Sequence, residues 1–201
     1  MKLIDDYLIS YDPLPTDGLA TLNLTERQEY DRLYEKALVN PKEMLPAIID
    51  FGKTHPHLPE IENLLAVVYL YLKQIDKVEM LIKESYEKFP NYLFARINYA
   101  DQCLRKKKPE LIPAIFNETF DLKALYPLKP HFHVSEFRGF MVFMALYHLS
   151  LKQKSAAEHY YKLSSEAEPH HPSVLELHKK LYKKSFLKRL LKRVSYKGSS
   201  R

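Results

Sequence analysis

The feature that most limits what this chain can become is an internal repeat. Residues 59–92, PEIENLLAVVYLYLKQIDKVEMLIKESYEKFPNY, are followed at once by 93–126, LFARINYADQCLRKKKPELIPAIFNETFDLKALY, a second stretch of 34 residues. In that register Leu65 falls over Tyr99, Ala66 over Ala100, Tyr69 over Cys103, Val78 over Ile112, Ile82 over Phe116 and Ser85 over Thr119. Small positions meet small ones and apolar positions meet apolar ones. A fixed period of this length predicts stacked supersecondary units rather than one closed core. Each unit reads as two helices. Leu65, Ala66 and Tyr69 share one face of the first, where the small Ala lets a partner helix approach, and Val78, Ile82 and Ser85 share one face of the second. Pro90 ends the second helix where the chain turns into the next unit.

Residues 138–171 repeat the pattern, with Met144, Ala145 and His148 on a first helix, Ala157, Tyr161 and Ser164 on a second, and Pro169 closing. Apolar, small and aromatic positions on the first helix, Ala-like and aromatic positions on the second, and a closing Pro resemble the tetratricopeptide repeat family. The string AAEHYYKLSSEAEP carries the closest likeness. The chain departs from that pattern where the family's usual Gly on the first helix is Ala in all three units, and where its aromatic position is Cys103 or His148. The resemblance implies an all-α fold, an α-solenoid of about four such hairpins plus a C-terminal capping helix.

Taken in order, residues 1–24 contain Pro13, Pro15 and Gly18 without sustained periodicity and predict an irregular arm whose Leu3, Ile4, Leu8 and Ile9 are free to dock. The repeat domain is expected over 25–171, as hairpins 25–58, 59–92, 93–126 and 138–171. Thr25 with Gln28 suggests a capping box opening the first helix, which places Tyr30, Leu33, Tyr34, Ala37 and Leu38 on one face. Asn40–Pro41 opens the next helix, with Met44, Ile48 and Phe51 inward. Asp76 with Glu79 and Ser155 with Glu158 read as boxes opening second helices, and Pro109 suits the first turn of another. The insertion 127–137, PLKPHFHVSEF, predicts an excursion that loosens the stack or covers one of its faces. Residues 172–201 read as a capping helix, with Ser173 and Glu176 at its start, running into a basic amphipathic tail that bears Lys188, Arg189, Lys192 and Arg193. Only four Gly in the chain argue against sheets and tight hairpins.

The formal net charge of +6 hides an asymmetry, since residues 1–50 carry five basic and ten acidic side chains and 173–201 carry ten and one. A single Cys excludes a disulfide framework, and Asp5 and Asp6 interrupt any apolar run near the start, so a soluble, cytoplasmic chain is expected.

Catalytic motifs are missing from the sequence: it holds no HExxH, GxSxG or Walker loop. Cys103 falls at a repeat core position. His55 with His57 and His170 with His171 are paired at the turns around the closing Pro, without acidic or Cys partners at ligand spacing, and His131 with His133 in the insertion are the best of a weak set, so neither a metal nor a cofactor is expected. The chain reads as a non-enzyme. The resemblance instead implies a groove lined by the first helices that takes a segment of another protein, as in an adaptor or chaperone, with no small-molecule substrate. On the hairpin register the groove positions are Asn63, Val67, Leu70, Tyr71, Phe94, Ile97, Asp101, Leu104, Arg105, Val142, Leu146 and Leu149, a largely apolar set. It lacks the row of Lys, Arg and Asn that clamps a peptide carboxylate in one branch of that family. The alternative is a scaffold that presents the basic C-terminal helix to nucleic acid or to an anionic membrane surface.

Overall fold

The computed structural model describes residues 1–12 and 18–182. The period is visible directly in the helix boundaries. Four helices run Leu24–Val39 (α1), Pro41–Thr54 (α2), Pro59–Tyr71 (α3) and Ile75–Lys88 (α4), followed by Leu93–Arg105 (α5). α4 begins 34 residues after α2, and α5 begins 34 residues after α3. Two short helices, Ile112–Ile115 (α6) and Leu122–Leu125 (α7), precede Val134–Ser150 (α8), Lys154–Ala167 (α9) and Pro172–Tyr182 (α10). Each long helix packs on its neighbour in sequence, and α1 on α3, α3 on α5 and α8 on α10 as well, while α5 packs directly on α8. This is the expected all-α solenoid of antiparallel hairpins. The first helices α1, α3, α5, α8 and α10 all run the same way along it.

The inward pattern follows the repeat. Val78, Ile82 and Ser85 are buried on α4, and Met144, Ala145, Ala157 and Ser164 are buried on the α8–α9 hairpin. Ala100 is fully buried between helices. One core cluster gathers Leu33, Ala37, Ile48, Phe51, Ile61, Leu64 and Val68 from the first three helices. A larger one centres on Phe116, Phe137, Phe140, Phe143 and Met144.

The turns that follow α3, α5 and α8 share one geometry. Lys73, Lys107 and Lys152 have φ of 58°, 58° and 61°, in the left-handed region. The Lys73 N–H donates to Leu70 O and the Gln74 N–H to Tyr69 O, at 3.0 and 2.9 Å. Lys107 and Lys108 bond Leu104 and Cys103 in the same way, as do Lys152 and Gln153 with Leu149 and His148. This pair of bonds is the Schellman termination, which satisfies the last free carbonyls of a helix and is usually built on Gly.

Several expectations need correction. The first helix is opened not by Thr25 and Gln28 but by Asn23, whose Oδ1 accepts from the Glu26 N–H at 3.0 Å while Glu26 Oε2 accepts from the Asn23 N–H at 2.9 Å. Asn is the stronger cap, and it starts the helix earlier. α4 and α9 begin at Ile75 and Lys154 without a side-chain cap, so Asp76 with Glu79 and Ser155 with Glu158 are not capping boxes. Glu79 instead pairs with Lys106 at 2.7 Å.

The hairpin expected at 93–126 lacks a full second helix. A 3-10 turn at Pro109–Leu111 and the single turn of α6 stop at Asn117 and Glu118, both at positive φ (52° and 57°). Asn tolerates that conformation and breaks the helix there. Asp121 then caps α7, its Oδ1 accepting from the Ala124 N–H at 2.6 Å.

The N-terminal arm, expected to be irregular, occupies the space so vacated. Lys2–Ile4 (β1) and Tyr7–Ser10 (β2) form an antiparallel hairpin, with Ile4 opposite Tyr7, and β2 pairs in parallel with Phe132–His133 (β3). The scarcity of Gly did not prevent this tight turn, because Asp5 itself adopts φ 53°. Ile4, Tyr7 and Ile9 enter the larger core beside Ile112, Phe116 and Leu122. Burial of each such side chain contributes about 1.5–3 kcal/mol. Leu19 of the same arm enters the smaller core, so the arm ties both clusters. The insertion does not loosen the stack. It supplies β3 and the first turn of α8, which is opened by His133 and Glu136. α10 buries Val174, Leu177 and Leu181 as a cap on the last hairpin. The basic tail residues Lys188, Arg189, Lys192 and Arg193 lie outside the described residues.

Candidate partner-binding face

The twelve residues expected to line a groove fall into three groups. On α3, Asn63 and Val67 are half-buried, whereas Leu70 and Tyr71 are 57% and 60% exposed. Asn63 is fixed by its neighbour, its Oδ1 accepting from Asn98 Nδ2 on α5 at 3.0 Å. That bond aligns α3 with α5 and occupies the two Asn a carboxylate clamp would need.

On α5, Phe94 and Ile97 face α8. A Cβ placed on Gly139 would lie 3.6 Å from each. That is ordinary van der Waals contact, so both side chains lie against α8 at Gly139, and Ile97 and Leu104 pack on the larger core. Asp101 and Arg105 form an i,i+4 ion pair at 2.9 Å on the outer surface. On α8, Val142, Leu146 and Leu149 pack on Ala157, Leu177 and Leu181, against the terminal helix. The structure therefore leaves Leu70 and Tyr71 open and uses most of the other apolar positions to hold successive first helices together.

Sequence reasoning missed part of the open face. Tyr34 and Leu38, expected inward on α1, are 47% and 43% exposed, and the buried stripe is Tyr30, Leu33 and Ala37. They lie on the last turns of α1 as Leu70 and Tyr71 do on α3, and the two helices touch. The signal was present in the spacing. A single residue, Asn40, joins α1 to α2, whereas three join α3 to α4, so the 34-residue register cannot carry α3's facing onto α1.

A second recess was not legible at all. Asp5, Asp6 and Tyr7 of the N-terminal hairpin, Phe120 and Asp121, and His159, Tyr160 and Leu163 of α9 surround a cleft of about 350 Å³. Two hydrogen bonds frame it. Tyr7 donates to Asp121 Oδ2 at 2.6 Å, and Tyr160 donates to the Phe120 carbonyl at 2.8 Å. Burial, together with the Asp121 carboxylate, raises the Tyr7 hydroxyl well above the usual tyrosine range, so it serves as a donor and not as a base. Lys123 pairs with Asp6 at 3.1 Å across the rim.

Three of the histidines take structural roles at turns. His133 Nδ1 accepts from the Ser135 N–H at the start of α8, and His171 Nδ1 accepts from the Ser173 N–H at the start of α10, both at 3.3 Å. His55 stacks on Phe51, with ring centroids 4.1 Å apart. Among the described residues no three His, Cys, Asp or Glu side chains are grouped to hold a metal ion. Cys103 is buried, and burial raises its thiol pKa, the reverse of an activated nucleophile. No helix among the described residues is long and apolar enough to cross a membrane.

No protein-family model matches the chain, and no curated protein sequence matches it. A solved structure described as "MamA RS-1 ArsTM double mutant" is similar over 81% of this chain and 96% of its own, at 12% identity and a TM-score of 0.48.

Proposed function

We propose that the chain is a non-catalytic protein-binding module, an adaptor or chaperone, that receives an amphipathic segment of another protein across the ends of α1 and α3. The observation that carries the reading is the exposure of Leu70 and Tyr71 on a face whose other apolar residues are used in helix packing. Tyr34 and Leu38 extend that face onto α1, giving neighbouring apolar anchors on parallel helices. A helix with apolar residues at i and i+4 fits such a row, since each anchor buries against two helices of the receptor. The hydrogen-bonded Asn63 and Asn98 and the paired Asp101 and Arg105 supply a polar border.

The test is selection of peptides from a displayed library against the full chain. Recovered sequences should carry apolar residues at helical spacing, and Leu70→Asp with Tyr71→Ser should weaken them at least tenfold in fluorescence anisotropy. The melting temperature of the double variant should stay near that of the parent, because both side chains are exposed. Peptides that bind the double variant as tightly as the parent would remove this face from consideration.

A further inference from the structure

The three Schellman turns lie along one edge of the solenoid, because the first helices run in parallel and end there. Adjacent helices pack about 8–10 Å apart, so the turns form a short row. Residues 72–76, 105–111 and 150–154 contribute seven basic side chains, Lys73, Arg105, Lys106, Lys107, Lys108, Lys152 and Lys154, against two acidic ones, Asp76 and Glu110. Arg105 and Lys106 are already paired, with Asp101 and Glu79, and Lys154 lies 3.4 Å from Glu158. Lys73, Lys107 and Lys152 are exposed at the tips. Between them stand exposed aliphatic side chains: Ile75 at 48%, Leu111 at 41% and Leu151 at 38%.

Helix electrostatics explains part of this pattern. A cation at a helix C-terminus complements the helix dipole, which accounts for one lysine per turn. It accounts neither for the run 105–108 nor for the aliphatic residues set among the charges. Gly would also adopt the left-handed conformation of the three tip positions at lower cost, yet each holds Lys. The described part of α10 reaches Tyr182 on this same edge, and the sequence that follows, 183–201, holds eight basic residues and no acidic one.

We propose that this edge is a docking surface for an anionic lipid bilayer. Lysine ammonium groups are attracted to acidic headgroups at the depth where short aliphatic side chains enter the interface, and the two terms add. A nucleic acid would use the lysines and leave Ile75, Leu111 and Leu151 in water. The edge shares no residue with the Leu70–Tyr71 face, so the two readings stand or fall separately.

The test is co-sedimentation of the full chain with vesicles of 70:30 phosphatidylcholine to phosphatidylserine and with phosphatidylcholine alone. Binding is expected only to the anionic vesicles and should be lost in high salt. Lys73→Glu, Lys107→Glu and Lys152→Glu together should weaken it about a hundredfold, at roughly fivefold per lysine. Thermal melts check that this variant is folded. If it is not, Lys107→Gln with Lys108→Gln and Lys152→Gln serves in its place. Leu111→Ser with Leu151→Ser should weaken vesicle binding severalfold. The proposal is overturned by absence of binding to the anionic vesicles, or by full binding of a folded charge variant, which would leave 183–201 as sole contact. It is equally overturned if a DNA duplex binds through the same lysines while the leucine substitutions leave vesicle binding unchanged.

Discussion

Replacing Lys73, Lys107 and Lys152 by Gly should make the protein more stable, although each change removes a long side chain and a favourable charge. The three residues sit at φ of 58°, 58° and 61°. A residue with a Cβ pays about 1–2 kcal/mol for that conformation. Gly pays none of it, but loses about 0.5–1 kcal/mol more conformational freedom on folding. Loss of the cation at the helix C-terminus offsets a further few tenths of a kcal/mol at exposed sites. The net gain is about 0.5 kcal/mol per site, and the turns belong to separate hairpins, so the triple variant should gain about 1–2 kcal/mol. For a chain of this size that raises the melting temperature by about 3–6 °C.

The assay is urea and thermal unfolding followed by far-ultraviolet circular dichroism, and a control fixes the register. Lys106 precedes Lys107 by one residue but has φ −80°. There Gly relieves no strain and forfeits helix propensity, so Lys106→Gly should cost up to about 1 kcal/mol. The same substitution at neighbouring positions must therefore have opposite signs. A triple variant no more stable than the parent, or equal effects at 106 and 107, would refute the assignment of the three turns and with it the repeat register they define.

The other predictions rest on single contacts. Ala100 is fully buried where α5 meets its neighbours, so Ala100→Leu should lower stability by about 1–3 kcal/mol, read as a reduced urea midpoint. Tyr7→Phe leaves the ring in the core and deletes only the bond to Asp121, so a loss of about 1.5–3 kcal/mol at neutral pH is expected, and an unchanged midpoint would show that this bond holds nothing. His171 has its pKa lowered from 6.5, first by burial and then by the Arg138 guanidinium. The unfolded chain therefore binds this proton more readily, so the contribution is present above pH 6.5 and is lost as pH falls through the lowered value. His171→Asn keeps a capping side chain and should reduce the loss of stability between pH 7.5 and 5.5, and equal losses in parent and variant would contradict this.

The solenoid was legible because its determinants are local and repeated. The Ala100 and Ala145 positions, the Val78, Ile82 and Ser85 stripe and the closing prolines are each read within a few residues, and their recurrence multiplies the signal. The arm was not legible, since Ile4, Tyr7 and Ile9 find their partners more than a hundred residues away, at Ile112, Phe116 and Leu122. Nothing within 93–126 announced that its second helix would stop at Asn117, because Ile112 and Phe116 keep the repeat's apolar spacing up to the break. They are buried as expected, but against the arm and α8 as well as against their own first helix. The groove positions were ambiguous for a related reason. Apolar residues on a first helix look alike in sequence whether they await a partner or the next helix, and Phe94, Ile97, Val142 and Leu146 turned out to hold neighbouring helices.

These outcomes assign different work to the two long edges of the solenoid. Where the first helices begin, the chain covers itself. The arm reaches Gly18, where an added Cβ would lie 2.4 Å from a carboxylate oxygen of Glu60 at the start of α3, and its strands pair with β3 just ahead of α8. Lys129, paired with Glu136 at 2.5 Å, secures the segment between the last two hairpins on the same side. Where the first helices end, the chain leaves lysines and aliphatic side chains in water, and beside them the exposed ends of α1 and α3. A stack of hairpins has two such edges, and this chain covers part of one with its own first ten residues, while Leu3, Leu24 and Leu128 on that side stay exposed. Because each hairpin contacts chiefly its neighbours, a substitution at one exposed turn should leave the others in place, so the surfaces can be tested one turn at a time.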